Sequence, residues 1–247
     1  MAPQRPEWKD KEPYRSVIAG DIKGAMASGE KGLFEMLLVA QSGMSTDAFI
    51  AEVSRWIAQA RDPRFKRSYD TLTYQPMLEV LQYLRANGFK TYIVSGGTVE
   101  FMRAFAERTY GIPPQQVLGT RQKLAFEVKG NGSSIQMLPQ IEFVNDKAGK
   151  PENIEALLGR RPIAAFGNSD GDFQMLEWAT AGAGARLAIL LHHDDAMREF
   201  AYDRKSAFGK LDRGLDEAGR RGWSVVSMKN DWARVFPDPR AARGQLP

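Results

Sequence analysis

The strongest constraint on the fold is a short apolar run at 164–167, which breaks into the acidic turn 168–172 and then a helical pattern from Phe173. An apolar run without alternation is typical of a strand buried on both faces, as in a parallel sheet covered by helices. In such a sheet, ligands bind at the carboxyl ends of the strands. The stretch therefore predicts an α/β fold with a polar site at the sheet edge.

The same alternation of strand and helix extends over the chain after Pro76. A helical stripe ends at Asn87-Gly88, and an apolar strand at 91–94 enters the glycine turn Ser95-Gly96-Gly97. Similar signals predict extended segments within 117–144, a helix at 151–158 with Ile154, Leu157 and Leu158 inward, strands at 162–166, 186–191 and 223–228, and helices at 195–202 and 211–220. The pattern predicts a Rossmann-like parallel sheet with helices on both faces.

The first 75 residues carry helical patterns and no convincing strand. One helix is predicted from the spacing of Leu33, Met36, Leu37 and Ala40. A second follows the capping residue Thr46 and places apolar side chains on one face, at Ala48, Phe49, Val53, Trp56 and Ile57. We therefore expect a small helical cap domain over residues 1–75 and an α/β core over 76–247.

The composition excludes several classes of function. The sequence has no cysteine, so disulfides, thiolate metal sites and cysteine nucleophiles are excluded. The net charge of +4 mildly favours anionic ligands, but basic residues are interspersed with acidic ones, so we predict no nucleic-acid partner. There is also no apolar run of about 18 residues, so no membrane partner is expected. Because the first ten residues lack a secretion signal, the chain as written predicts a cytoplasmic protein.

Three polar clusters fall at strand ends or helix starts: Ser95 to Gly97, Lys147 to Lys150, and Asn168 to Asp172. A hydroxyl beside two glycines offers backbone N–H groups to an anion, and a lysine adds a compact positive charge. Carboxylates can hold a metal ion that bridges to phosphate. Together the clusters predict a phosphoryl site. Two alternatives stay open: Ser95 and Asp172 could simply cap the helices that follow them, and Lys147 could replace Lys150.

The order and spacing of these clusters resemble the haloacid dehalogenase superfamily, and most closely its phosphoserine-phosphatase-like subgroup. The resemblance implies Mg²⁺-dependent hydrolysis of small phosphorylated substrates through an aspartyl-phosphate. It assigns phosphate binding to Ser95, Gly96, Gly97 and Lys150, with Ser95 and Lys150 as the catalytic residues. It assigns the metal to Asn168, Asp170 and Asp172, and leaves open which of them is a direct ligand. The helical cap would lie over residues 1–75.

Two departures from the family pattern limit what the resemblance implies. The nucleophile of the family lies in an Asp-x-Asp-x-Thr/Val motif, and this sequence contains no such motif. The core should then lack its first, central strand, and the chain alone should have little phosphatase activity. The first interpretation is a truncated phosphatase, whose upstream segment could carry a periplasmic export signal. The alternatives are a catalytically inactive phosphate- or nucleotide-binding protein and a dehalogenase-type hydrolase.

The second departure is Asn168, which stands where the family usually has a metal-binding aspartate. An amide oxygen can ligate Mg²⁺ but brings no charge, so Asp170 or Asp172 would have to contribute more to the site. A separate acidic and histidine run, His192-His193-Asp194-Asp195, resembles a metal cluster. Adjacent residues of an extended segment point to opposite sides, however, and either aspartate is explained as a helix cap, so no metal ligation is predicted there.

Overall fold

A computed structural model describes residues 6–27, 32, 36, 38–39 and 41–238. The chain forms two compact units, one of residues 1–51 and 121–142 and the other of residues 52–120 and 143–247. These units do not coincide with the division predicted at residue 75, and the cap and core domains stay a prediction. Of the four residues that define the predicted helix at 33–40, only Met36 is among the described residues.

The first unit contains short helices and part of a β-hairpin. Helices α1 (Tyr14–Ile18) and α2 (Ile22–Ala27) follow a 3₁₀ turn at Pro6–Lys9. Helix α3 (Thr46–Gln59) begins in this unit with Thr46 as its first residue. The side chain that accepts from its first turn is Ser45, through the Ala48 N–H at 3.2 Å, and not the predicted Thr46. The backbone at Gly43 and Met44 exchanges hydrogen bonds of 3.1 and 2.9 Å with Met137 of the hairpin. The predicted helical content of this region is therefore observed in its described part.

The first sheet has the order β1-β2-β3 and supports the serine segment. Helix α4 (Gln75–Ala86) precedes β1 (Ile93–Thr98), and helices α5 (Val99–Arg103) and α6 (Ala106–Tyr110) follow it. Strand β1 pairs in parallel with β2 (Val117–Lys129), which turns at Gly130-Asn131 into β3 (Gly132–Phe143). The predicted helix, strand and extended segments are all observed here.

The sequence predicts a separate turn at Ser95-Gly96-Gly97, but in the structure this segment is part of β1. The strand continues through it to Thr98, and the β1–β2 register shifts between Val94 and Thr98. A Cβ at Gly119, opposite the shift, would lie 2.8 Å from the Gly97 carbonyl oxygen. Glycine at 119 thus allows the irregular strand end to approach its neighbour closely.

The second sheet is parallel, with the order β4-β5-β6. It consists of β4 (Ala164–Gly167), β5 (Leu187–His192) and β6 (Ser224–Ser227). Its helices are α7 (Gly149–Leu158), α8 (Phe173–Thr180), α9 (Arg213–Glu217) and α10 (Met228–Asp231). The α/β class, with parallel strands flanked by helices, is confirmed.

Both β1 and β4 are terminal strands of their sheets in the part of the chain that the structure describes. They nevertheless contribute to the same core, where Val94 packs against a cluster that contains Ala165, Phe173, Leu176 and Leu190. Burial of these apolar side chains is the main term that stabilises the unit. The central strand expected to be missing between β1 and β4 stays a prediction.

Two helix predictions need correction. No helix forms at 195–202. The Asp195 carboxylate accepts hydrogen bonds from the backbone N–H groups of Met197 and Arg198 at 3.1 and 3.0 Å, as a helix cap does, but the segment stops after one turn. The segment is a turn, and its Arg198 side chain donates to the Trp232 carbonyl at 2.7 Å. In α7, Leu157 is 55% exposed rather than inward, because the helix is covered only on the side that carries Ile154.

Candidate functional site

The predicted phosphate-binding segment lies at the irregular end of β1. The Ser95 hydroxyl accepts a hydrogen bond of 3.1 Å from the Gly97 N–H group, and Gly97 is exposed. The helix cap proposed for Ser95 is not observed, because α5 begins after Thr98 and has no side-chain cap. The hydroxyl therefore shapes the strand end itself, beside the exposed backbone of Gly97.

Lys150 joins the serine strand to the acidic turn. It lies in the first turn of α7, within the helix rather than before it as predicted. Its Nζ donates to the Val94 carbonyl at 2.9 Å and to Asp172 Oδ1 at 2.6 Å. Both side chains of this ion pair are only 7% exposed. Lys147 is exposed by contrast, so the geometry brings Lys150, and not Lys147, into the cluster.

The second oxygen of Asp172 closes the acidic turn. Asp172 Oδ2 accepts from the backbone N–H groups of Asn168 and Ser169 at 2.9 and 3.2 Å. Ser169 Oγ in turn accepts from Gly171 N, which completes a capping box around the 3₁₀ turn Asp170–Asp172. Asp172 thus stabilises the turn before it and pairs with Lys150. It does not cap α8 as the alternative interpretation predicted, because it makes no side-chain hydrogen bond to the start of that helix.

Asp170 points away from this pair and caps α9. Its two carboxylate oxygens accept hydrogen bonds from the N–H groups of Asp212, Arg213 and Gly214 at 2.8 to 3.2 Å. A carboxylate at a helix N-terminus satisfies N–H groups that have no partner within the helix. The contacts of Asp170 are therefore those of a structural residue that connects the acidic turn to α9.

The loop between β3 and α7 fixes the three segments together. Asn145, which is fully buried, donates from Nδ2 to the Ser95 carbonyl at 2.8 Å and accepts from Asn153 Nδ2 at 3.0 Å. Two residues later, Lys147 N donates to the Gly171 carbonyl at 3.0 Å. The serine strand, the lysine loop and the acidic turn therefore converge, as their positions at strand ends predict.

Asn168 is held by an aromatic and histidine network. Its Nδ2 lies 3.1 Å from Tyr202 Oη and 3.3 Å from His193 Nε2, and His193 Nδ1 lies 3.4 Å from Glu199 Oε2. With a proton on Nδ1 directed at Glu199, Nε2 is free to accept from the amide. Burial raises the pKa of Tyr202, whose ring stacks on His193 at 4.3 Å between centroids. The network fixes which side of the amide carries the nitrogen.

The side chains predicted for a magnesium ion do not fit one in this arrangement. Both carboxylate oxygens of Asp170 and both of Asp172 already accept hydrogen bonds from protein donors. Within the described residues, no group of three or more histidine, aspartate or glutamate side chains is placed to hold a metal ion. Mg²⁺ requires oxygen ligands whose lone pairs face the ion. The metal assignment of Asn168, Asp170 and Asp172 stays a prediction.

Sequence reasoning missed four residues of the cluster: Asn145, Asp146, His193 and Tyr202. The Asp146 carboxylate lies beside the acidic turn, with Oδ1 only 2.4 Å from the position of a Cβ built on Gly171. Asn145 and Asp146 stand in the polar loop of the sequence, where the chemistry of a phosphoryl site pointed only to the lysines. His193 stands in the acidic and histidine run of the sequence, for which no metal ligation was predicted, and nothing local marks Tyr202. Both residues reach Asn168 through tertiary contacts, over 25 and 34 residues.

Comparison with known proteins gives one family match. A sequence model of haloacid dehalogenase-like hydrolases matches residues 4–177. No curated protein sequence matches this chain. Among the helices of the described ranges, none is long and apolar enough to cross a membrane.

The solved structures that match this chain include two proteins of low sequence identity. A conserved protein of unknown function from Anaerococcus prevotii has a TM-score of 0.51 at 22% identity, covering 76% of this chain and 51% of that one. This chain therefore spans about half the length of that protein. A phosphoserine phosphohydrolase-like protein from Francisella tularensis subsp. tularensis has a TM-score of 0.41 at 16% identity, covering 77% and 75% of the two chains. The first match supports the fold alone, and the second is too weak to support an argument.

Proposed function

Because the chain belongs to the haloacid dehalogenase-like hydrolase family, we propose that its strand-end cluster is a phosphomonoester site. In this proposal Ser95, Gly96 and Gly97 contact the phosphoryl oxygens and Lys150 supplies the positive charge. The ligand class is a small phosphorylated molecule. The proposal comes from the family and from the chemistry of these groups, since backbone N–H groups and an ammonium ion are the donors that phosphate prefers.

The observation that carries the proposal is the position of the Lys150 ammonium. It bridges the Val94 carbonyl of the serine strand and the Asp172 carboxylate of the acidic turn. An ammonium ion has three N–H donors, and these two contacts use two of them. The remaining donor and the positive charge are what a phosphoryl group at the end of β1 would use. Asp172 orients the lysine and balances its charge when no anion is bound.

The proposed reaction is hydrolysis of a phosphomonoester, which requires a nucleophile to attack phosphorus. This sequence contains no Asp-x-Asp-x-Thr/Val motif that would supply the family's nucleophilic aspartate. We therefore expect the chain to bind phosphate and to hydrolyse phosphomonoesters slowly or not at all. Mg²⁺ enters the proposal only through the family, whose enzymes generally use it. No step is assigned to a metal, because Asp170 and Asp172 do not fit one as they are arranged.

Calorimetric titration with inorganic phosphate tests the binding part of the proposal. We expect saturable binding by the chain and by Lys147→Met, and its loss in Lys150→Met. Lys147 is a matched control for Lys150 because both lysines stand in the same loop and helix start, but only Lys150 is buried at the site. Circular dichroism would confirm that both variants are folded. Equal phosphate binding by both variants, or none by the unmodified chain, would refute the proposal.

Turnover of p-nitrophenyl phosphate with added Mg²⁺ tests the catalytic part. We expect little or no release of nitrophenol by the purified chain. Substantial Mg²⁺-dependent turnover that disappears in Asp172→Ala would show that the chain carries a nucleophile of its own. Phosphate binding without turnover would instead favour the catalytically inactive binding protein, which the missing motif also supports.

A further inference from the structure

Two of the six asparagines in the sequence are followed by a glycine, in the dipeptides Asn87-Gly88 and Asn131-Gly132. The main-chain nitrogen that follows an asparagine can attack the carbon of its side-chain amide. A glycine at that position hinders the attack least, because it has no Cβ. The other four asparagines precede residues that carry a side chain. The two Asn-Gly dipeptides are therefore the positions where this reaction meets the least steric resistance.

Asn131 lies at the tip of the hairpin, in the two-residue turn between β2 and β3. Gly130, the first residue of this turn, has a φ of 58°, and residues 130–133 are all exposed. Within the described residues, the Asn131 side chain makes no hydrogen bond. Its amide can therefore rotate toward the Gly132 nitrogen without breaking a side-chain contact, and water reaches it from outside.

Asn87 is also exposed, but the end of α4 holds it in place. Its Nδ2 donates to the Tyr83 carbonyl at 2.9 Å. The Gly88 nitrogen, which would be the attacking atom, donates to the Arg85 carbonyl at 3.0 Å. Gly88 has a φ of 80°, the left-handed conformation that commonly ends a helix. Attack at Asn87 would therefore break the hydrogen bond of the side chain and that of the attacking nitrogen.

We propose that Asn131, and not Asn87, is the position at which the folded protein deamidates without an enzyme. The Gly132 nitrogen bonds to Asn131 Cγ, and the side-chain nitrogen takes up the displaced proton and leaves as ammonia. The product is a cyclic imide. Water then adds to one of the two imide carbonyls and opens the ring, which leaves aspartate or isoaspartate at position 131. The reaction consumes only water and is independent of the proposed function.

The modification changes both the charge and the geometry of the hairpin tip. Either product adds a negative charge two positions after Lys129, whose Nζ pairs with Glu127 Oε2 at 3.1 Å. Isoaspartate also carries the main chain through the former side chain, which lengthens the turn by one methylene group. Because the length of a hairpin turn sets the register of its strands, isoaspartate should loosen the strand pairing next to the turn.

Peptide mapping by mass spectrometry tests the assignment after incubation of the purified chain at mildly alkaline pH. We expect Asn131 to convert faster than Asn87 by about tenfold or more, because the reaction at Asn87 must first break two hydrogen bonds. The same incubation in concentrated urea, where both dipeptides are unfolded, should bring the two rates close together. Asn131→Gln should abolish conversion in the hairpin peptide and leave the rate at Asn87 unchanged.

Three results would overturn the inference. The first is conversion at Asn87 that is as fast as conversion at Asn131 in the folded chain. The second is a difference between the two rates that persists in urea, because the flanking sequence and not the fold would then be its cause. The third is a folded chain that keeps Asn131 intact under conditions in which the urea-unfolded chain converts it.

Discussion

The buried ion pair between Lys150 and Asp172 makes the structure sensitive to the loss of either partner. The atoms Lys150 Nζ and Asp172 Oδ1 are 2.6 Å apart, and each side chain is 7% exposed. In Lys150→Met the methionine fills similar space but leaves the Asp172 carboxylate buried without its counter-charge. The Val94 carbonyl also loses its donor. Three donors of the acidic turn remain on Asp172 Oδ2, so the carboxylate keeps part of its stabilisation.

Removing one partner of a buried ion pair costs about 3–5 kcal/mol, because an uncompensated charge stays in a low-dielectric environment. A domain has only about 5–15 kcal/mol of total stability, so Lys150→Met should lower the free energy of unfolding by a large fraction of it. Lys129→Met provides the control, because Lys129 is 79% exposed in its ion pair with Glu127. Such surface pairs contribute about 0–1 kcal/mol.

Urea unfolding followed by circular dichroism measures both effects. A double variant, Lys150→Met with Asp172→Asn, leaves no charge buried, so its cost should be lower than the sum of the single costs by about 0.5–3 kcal/mol. Additive costs would contradict the direct pairing of these two residues. Equal costs for Lys150→Met and Lys129→Met would contradict the burial on which the magnitude rests.

Other contacts give further predictions. Asp170→Ala should destabilise the protein by about 1–3 kcal/mol, because three N–H groups at the start of α9 lose their acceptor, and hydrogen exchange of those amides should accelerate. Gly149→Ala should lower the melting temperature, because its Cβ would lie 2.2 Å from a backbone carbonyl oxygen, whereas Gly219→Ala meets nothing within 4 Å and should not lower it. The hydrogen bond from Arg213 lowers the pKa of Glu217 below 4.5. The resulting stability is present above pH 4.5 and is lost as the pH falls through the lowered value. Urea midpoints should therefore fall more steeply with acidification in the unmodified protein than in Glu217→Gln.

Elements with strong local signals could be predicted from the sequence. The apolar run of β4 and the helical period of α8 bracket the acidic turn, and both elements are observed close to the predicted bounds. The helix predicted at 151–158 was also observed, with its end before Gly159 and its start two residues earlier than predicted, at Gly149. The convergence of these segments with Ser95 followed from the general geometry of parallel sheets.

What the sequence could not provide depends on contacts between distant residues. The segment after Asp194 has helical spacing, yet it forms only one turn, and its Arg198 side chain binds the carbonyl of Trp232, 34 residues away. The capping role of Asp170 could not be predicted either. Only the position of α9, whose N–H groups donate to both of its oxygens, shows that Asp170 is a cap.

Nuclear magnetic resonance of the backbone amides tests the central claim, that the serine strand end and Lys150 form one phosphate site. Inorganic phosphate would be titrated into the ¹⁵N-labelled chain, with sodium chloride at matched ionic strength as the control. The account predicts saturable shifts that are largest at the amides of Ser95, Gly96 and Gly97, with a smaller response at Lys150. Phosphate shifts that are absent at these amides, or that chloride reproduces, would contradict it.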